Sequence, residues 1–134
     1  MTKKELAISL HDKKYNCAQS VACAFAEEVG VDMEVLFKAC EGFGLGMGGM
    51  EGTCGAISGA VMLASFLNSD GAIDNPTTKA STYQLTKQIV AAFAEKNQAT
   101  RCRDLKGVDT GTVLRSCPGC IEDAVEIVQE ILKL

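Results

Sequence analysis

Seven cysteines in 134 residues, beside a single histidine, make sulfur the chemical resource of this chain. Thiolates, not thiols, attack electrophiles and bind metals, so the informative cysteines are those whose neighbours favour ionisation. Four qualify. Cys17 follows Asn16 at the start of a helical pattern, and Cys54 is expected in the first turn of a helix beginning near Thr53. Unpaired N–H groups and the positive end of the helix dipole stabilise an anion at both places. Cys102 lies between Arg101 and Arg103, whose charges favour its thiolate. Cys117 precedes Pro118, a residue suited to the first helical position, which predicts Cys117 as the helix cap.

The other three cysteines read differently. Cys23 stands six positions after Cys17, about 240° around a straight helix, so the two cannot ligate one ion from it. Cys23 and Cys40 suit small apolar core positions. Cys120 completes Cys117-Pro118-Gly119-Cys120. In a thioredoxin-like protein this C-x-x-C would follow a strand, and no strand pattern precedes it. No second C-x-x-C and no usable histidine mark a zinc ribbon, and Ile121 in place of histidine excludes a c-type haem attachment. His11, beside Asp12 and two lysines, is expected as a solvated helix-end residue. Gly44 to Gly49 formally satisfies G-x-G-x-x-G, but the strand and acidic partner of a dinucleotide site are missing.

The elements that must position these thiols are helical. No segment alternates with a period of two for long enough to make a strand. The expected fold is all-α, a compact bundle of five to six helices in a single domain over residues 1–134. Helices are predicted over about 3–11, 16–29, 32–40, 53–67, 77–97 and from Cys117 to the C-terminus. Val35, Leu36 and Ala39 are predicted to face inward in the third, and Tyr83, Ile89, Val90, Phe93 and Ala94 in the fifth. The centre is the run from Gly42 to Ala60, which holds eight glycines. Phe43, Leu45, Met47 and Met50 interleave with them and should pack, which a flexible linker would not require. Gly55 and Gly59 strip one helix face of side chains, so another helix can approach closely. The same face also suits a homodimer. The apolar run after it is too short to span a bilayer.

A formal charge of −4 without any cluster of lysine and arginine argues against a nucleic-acid or anionic-membrane partner. Aromatics are only 5%, leaving few stacking platforms for single strands. The N-terminus lacks the apolar core of a signal peptide, so the expected location is cytoplasmic. In a reducing compartment this many cysteines point to metal binding or redox catalysis rather than structural bridges. Cys17, Cys54, Cys102 and Cys117 would suit one iron–sulfur cluster, whose negative charge the same amides and cations would stabilise. The alternatives are a thiol–disulfide or sulfur-transfer enzyme using Cys54 or Cys117 as nucleophile, a structural zinc module, or four independently buried thiols.

With these residues in hand, the chain resembles the C_GCAxxG_C_C family of redox-active proteins. The likeness is carried by Asn16-Cys17-Ala18-Gln19-Ser20-Val21, by the glycine-rich run into Cys54-Gly55-Ala56-Ile57-Ser58-Gly59-Ala60, by Cys102-Arg103-Asp104-Leu105 with Gly107, and by Cys117. The resemblance implies a small redox protein using four cysteines, which fall on Cys17, Cys54, Cys102 and Cys117. Split-Soret cytochromes look like relatives that carry an iron–sulfur cluster together with haem. That likeness implies a cluster rather than zinc, here 2Fe–2S ahead of 4Fe–4S, exchanging electrons with an unidentified redox partner. The haem attachment sequence is missing here. At Cys120 the family more usually has an aromatic, so this thiol could be a spare ligand, a resolving thiol or a packed residue.

Overall fold

The computed structural model describes all 134 residues. The helical segments are α1 (Lys3–Asp12), α2 (Cys17–Cys23), α3 (Ala26–Val29), α4 (Met33–Cys40), α5 (Gly44–Met47), α6 (Gly55–Asn68), α7 (Lys79–Asn97), α8 (Cys102–Lys106) and α9 (Cys117–Ile131). Six of these run for seven residues or more, and they coincide with the six helices expected from periodicity. The only β feature is an isolated antiparallel bridge between Thr53 and Arg101. No helix is long and apolar enough to cross a membrane.

Side-chain caps explain several boundaries. Thr2 and Glu5 form a capping box at α1, and Asn16 and Gln19 form a second at α2. Asp32 caps α4 by accepting from the Glu34 N–H. Gly30, with φ of 67°, closes α3 in the left-handed conformation that glycine adopts without a Cβ penalty.

Helix α6 lies at the centre, against α2, α7 and α9. A Cβ on Gly59 would stand 2.6 Å from the Ala18 carbonyl oxygen, and one on Gly55 would stand 3.0 Å from the Phe43 carbonyl oxygen. The bare face is thus filled by α2 within the same chain, and it is not the surface a second copy would use. A core of 25 buried residues runs from Ala7 to Val128, with Phe25, Phe93, Leu36 and Ile57 among its largest members.

Four local expectations need correction. The second helix is divided, because Phe25 leaves helical geometry (φ −112°, ψ 18°) and α3 restarts from it. Val35 is 53% exposed and Ala39 is also exposed, so only Leu36 of that trio reaches the core. Tyr83 is 65% exposed, and α7 begins at Lys79, past Pro76, with Thr78 before it making no side-chain bond to the helix start. In the glycine-rich run, Leu45 and Met47 are about half exposed instead of packed. Both have positive φ, 54° and 62°, which turns the chain sharply and aims them toward solvent.

Candidate functional site

The fold brings Cys17, Cys54, Cys102, Cys117 and Cys120 to the wall of one cavity of about 180 Å³, together with His11, Lys106 and Arg115. All seven cysteines of the chain are free thiols. Cys23 and Cys40 lie elsewhere, in the core where α2 meets α4, and burial pushes both thiols up to about 11.

Each cavity thiol is held by a helix start. Cys17 is the first residue of α2, whose capping Asn16 also donates from Nδ2 to the Glu41 carbonyl at 2.8 Å. Cys54 is the cap of α6, one position earlier than the first-turn placement expected for it. Its N–H donates to the Thr100 carbonyl at 2.8 Å, tying the start of α6 to the strand-like segment before α8. Cys102 opens α8 and donates its N–H to the Gly52 carbonyl at 3.0 Å. Gly46 has no side chain because a Cβ there would collide with the Cys102 Cβ. Cys117 is the first residue of α9, and the cap is Ser116, whose hydroxyl accepts from the Gly119 N–H at 3.1 Å. The proline rule located the helix start but shifted the cap by one residue.

The thiols form two interacting pairs. Cys117 is drawn down to about 5 by a hydrogen bond from Cys17 and, after the opposing effect of burial, by the Lys106 ammonium and by His11. Cys17 is pushed up correspondingly, because it keeps the shared proton and is buried. Cys54 is lowered by a hydrogen bond from Cys120 and by the backbone N–H groups of Ala56 and Ile57, against the effect of burial. Cys120 is raised by that same bond and by burial. Within each pair one thiol is therefore drawn below its ordinary value and the other pushed above it.

Cys102 departs from expectation. Its flanking arginines do not ionise it: Arg101 holds Asp104 at 2.9 Å, Arg103 holds Asp109 at 2.8 Å, and both reach Glu51 at 3.4 Å. Burial raises the Cys102 thiol, and the cation that opposes this is Lys106, four residues on. The ionising charge of the site is thus a lysine that sequence reasoning passed over. An i, i+4 relation between Cys102 and Lys106 was the available signal. His11 was also misplaced. It is half-buried on the cavity wall, with Nδ1 donating to the Tyr15 carbonyl at 3.1 Å. Arg115, which shares the wall with Lys106, is held by Asp123 at 3.0 Å, and Asn97 donates to the same carboxylate at 3.1 Å.

The five sulfurs surround a space rather than a point. No three histidine, cysteine, aspartate or glutamate side chains are drawn together as a group that could hold a single metal ion. A cavity of about 180 Å³ equals the liquid volume of about six waters at ~30 Å³ each, so it has room for a group of several atoms.

A family model described as "Putative redox-active protein (C_GCAxxG_C_C)" matches residues 15–131. The chain is also similar to an "Uncharacterized protein" of Archaeoglobus fulgidus, 30% identical over 140 residues, which cover 97% of this chain and 93% of that protein. No solved structure matches.

Proposed function

This chain belongs to the C_GCAxxG_C_C family of redox-active proteins, and from that premise we propose that its thiol-lined cavity holds an iron–sulfur cluster, with 2Fe–2S ahead of 4Fe–4S. Cys17, Cys54, Cys102 and Cys117 would be the ligands, and the role would be electron transfer or redox sensing with a partner protein. The observation that carries the reading is that thiols from the starts of four different helices line one small cavity with three cationic or protonatable side chains. A multi-atom group suits sulfurs spread around a space, whereas tetrahedral zinc needs four donors about 2.3 Å from one centre.

When bound, the cluster would supply one-electron chemistry. The chain's own part is electrostatic. Cys54 and Cys117 are already the acidified members of their pairs, and the Ala56 and Ile57 amides and Lys106 face them. Cys17 and Cys102 are held protonated, so both would have to release a proton on ligation. Loading would therefore weaken as pH falls.

The test is anaerobic reconstitution of the reduced chain with ferrous iron and sulfide, followed by an absorption spectrum and assays of both elements. A brown protein with charge-transfer bands is expected, and serine at Cys17, Cys54, Cys102 or Cys117 should lower the bound iron. A colourless protein without bound iron would sink the assignment.

A further inference from the structure

Gly119, between the two cysteines that open α9, has no conformational reason to be a glycine. It lies in the first helical turn, and its φ is not in the left-handed region. The reason is room. A Cβ there would stand 2.5 Å from Arg115 Nε and 2.6 Å from Cζ, because the guanidinium lies against the helix at this point. From that seat it reaches Asp123 with two bonds, Nε to Oδ2 at 3.0 Å and Nη2 to Oδ1 at 3.2 Å. Asp123 is 9% exposed, and Asn97, which donates to the same Oδ2 at 3.1 Å, is 6% exposed. We propose that Arg115 is a positioning residue of the thiol site: seated on Gly119 and clamped by Asp123, it locks the entry of α9 and so fixes Cys117 and Cys120 on the cavity wall.

The clamp closes a join that is otherwise thin. Residues 108–114, which lead into α9, are all exposed. At their end the Leu114 and Arg115 N–H groups both donate to the Leu105 carbonyl, at 2.9 and 3.4 Å. The Ser116 hydroxyl then accepts from the Gly119 N–H at 3.1 Å. The arginine side chain adds a brace from position 115 to position 123, across the first two turns of α9, and Asn97 ties that brace to the end of α7. Two site thiols depend on the braced segment. Cys117 is two residues after Arg115, and the Cys120 sulfur lies 4.0 Å from the Arg115 carbonyl oxygen.

Geometry, more than energy, is what such a pair contributes. Desolvation of a buried carboxylate offsets much of its attraction to a cation. The planar guanidinium fork still fixes direction, because its two bonds hold only in one orientation, and a lysine ammonium in the same place is a point charge without that constraint. Cys117 as a cluster ligand rests on the reading given above, whereas the placement of the two thiols by Arg115 does not.

Three variants of the full-length chain test the clamp. Arg115→Met removes it, Arg115→Lys keeps the charge without the fork, and Gly119→Ala keeps the arginine but fills its seat. The reduced, iron-free protein is read by hydrogen exchange of the Cys120 amide and by alkylation of the Cys120 thiol. The Phe93 amide and the Cys40 thiol, both 0% exposed, are the references. Both Cys120 readouts should speed by at least about tenfold in each variant, a factor equal to about 1.4 kcal/mol of local opening, with the references unchanged. Alanine is the better helix former, so helix propensity alone would slow exchange in Gly119→Ala, the opposite sign. Should Arg115→Met not fold, with the Asp123 carboxylate left to Asn97, the other two variants decide. References that speed equally would reduce the clamp to general stability and overturn the proposal, as would wild-type rates in Arg115→Lys or slower exchange in Gly119→Ala. In reconstituted protein at equal iron content, the charge-transfer bands of the variants should shift from those of the wild type, and unmoved bands would overturn the placement of Cys117. A colourless wild-type protein removes the cluster and leaves the exchange and alkylation rates to decide the clamp.

Discussion

Replacing Gly59 by alanine tests whether the packing of α2 on α6 sets the geometry of the sulfurs. The added Cβ would lie 2.6 Å from the Ala18 carbonyl oxygen and 3.2 Å from the Ala18 Cα, where ordinary contact begins at 3.4 Å. The shortfall is 3.4 − 2.6 = 0.8 Å, and both obstacles are backbone, so α2 itself must move. Overpacking of this kind costs about 1–3 kcal/mol. Alanine in a helix interior offsets about 1 kcal/mol of that relative to glycine. Because backbone yields less readily than a side chain, the upper part of the range applies and the net loss is about 1–2 kcal/mol. For a domain of this size that lowers Tm by about 3–8 °C. The functional effect should be larger, since metal ligands tolerate only about 0.2 Å and Ala18 is the next residue after Cys17. Thermal denaturation and iron content after reconstitution are the assays. Gly49→Ala is the control, because nothing lies within 4 Å of a Cβ there, and it should change stability by no more than about 0.5 kcal/mol. A Gly59→Ala protein with an undiminished Tm and full iron content would refute the claim that this contact positions Cys17.

Three further outcomes follow from the site. Cys117 is an acid held low, at about 5 against 9.0 for an ordinary thiol, so its contribution to stability is present above pH 9 and lost as pH falls through about 5. Cys17, raised by the same proton, contributes in the opposite sense, present below pH 9 and lost on the alkaline side. Lys106→Gln removes the cation facing Cys117 and should move the midpoint of its alkylation-rate profile upward in iron-free protein; an unmoved midpoint would show that Lys106 does not ionise it. Asn16→Ala deletes the cap of α2 and its bond to the Glu41 carbonyl, and should cost about 1 kcal/mol in urea unfolding. It should also speed alkylation of Cys17, and equal rates would show that the cap does not restrain that thiol.

Helices, caps and breakers were legible because their causes are local. The capping Asp32, the terminating Gly30 and the bare face of Gly55 and Gly59 act within a turn or two of themselves, and the spacing of apolar residues alone marks six helices. The same local physics selected Cys17, Cys54, Cys102 and Cys117 as thiols beside helix starts or charges. It failed where the deciding neighbour is remote or where several local partners compete. Phe25 and Tyr83 keep helical periodicity yet meet a break and open solvent, since burial depends on which elements lie opposite.

Only the tertiary structure decided which thiols share a cavity. Cys17 and Cys117 are a hundred residues apart and meet because α2 and α9 both pack on α6. Arg101 and Arg103 flank Cys102 in sequence, yet they turn to Glu51, Asp104 and Asp109, leaving Lys106 as the cation of the site. The pairing of Cys54 with Cys120, and the place of His11 on the wall, have the same origin. Sequence sets the chemical type of each group and its nearest backbone partners, whereas electrostatic influence falls off over a few ångströms, so proximity created by chain folding decides which charges act.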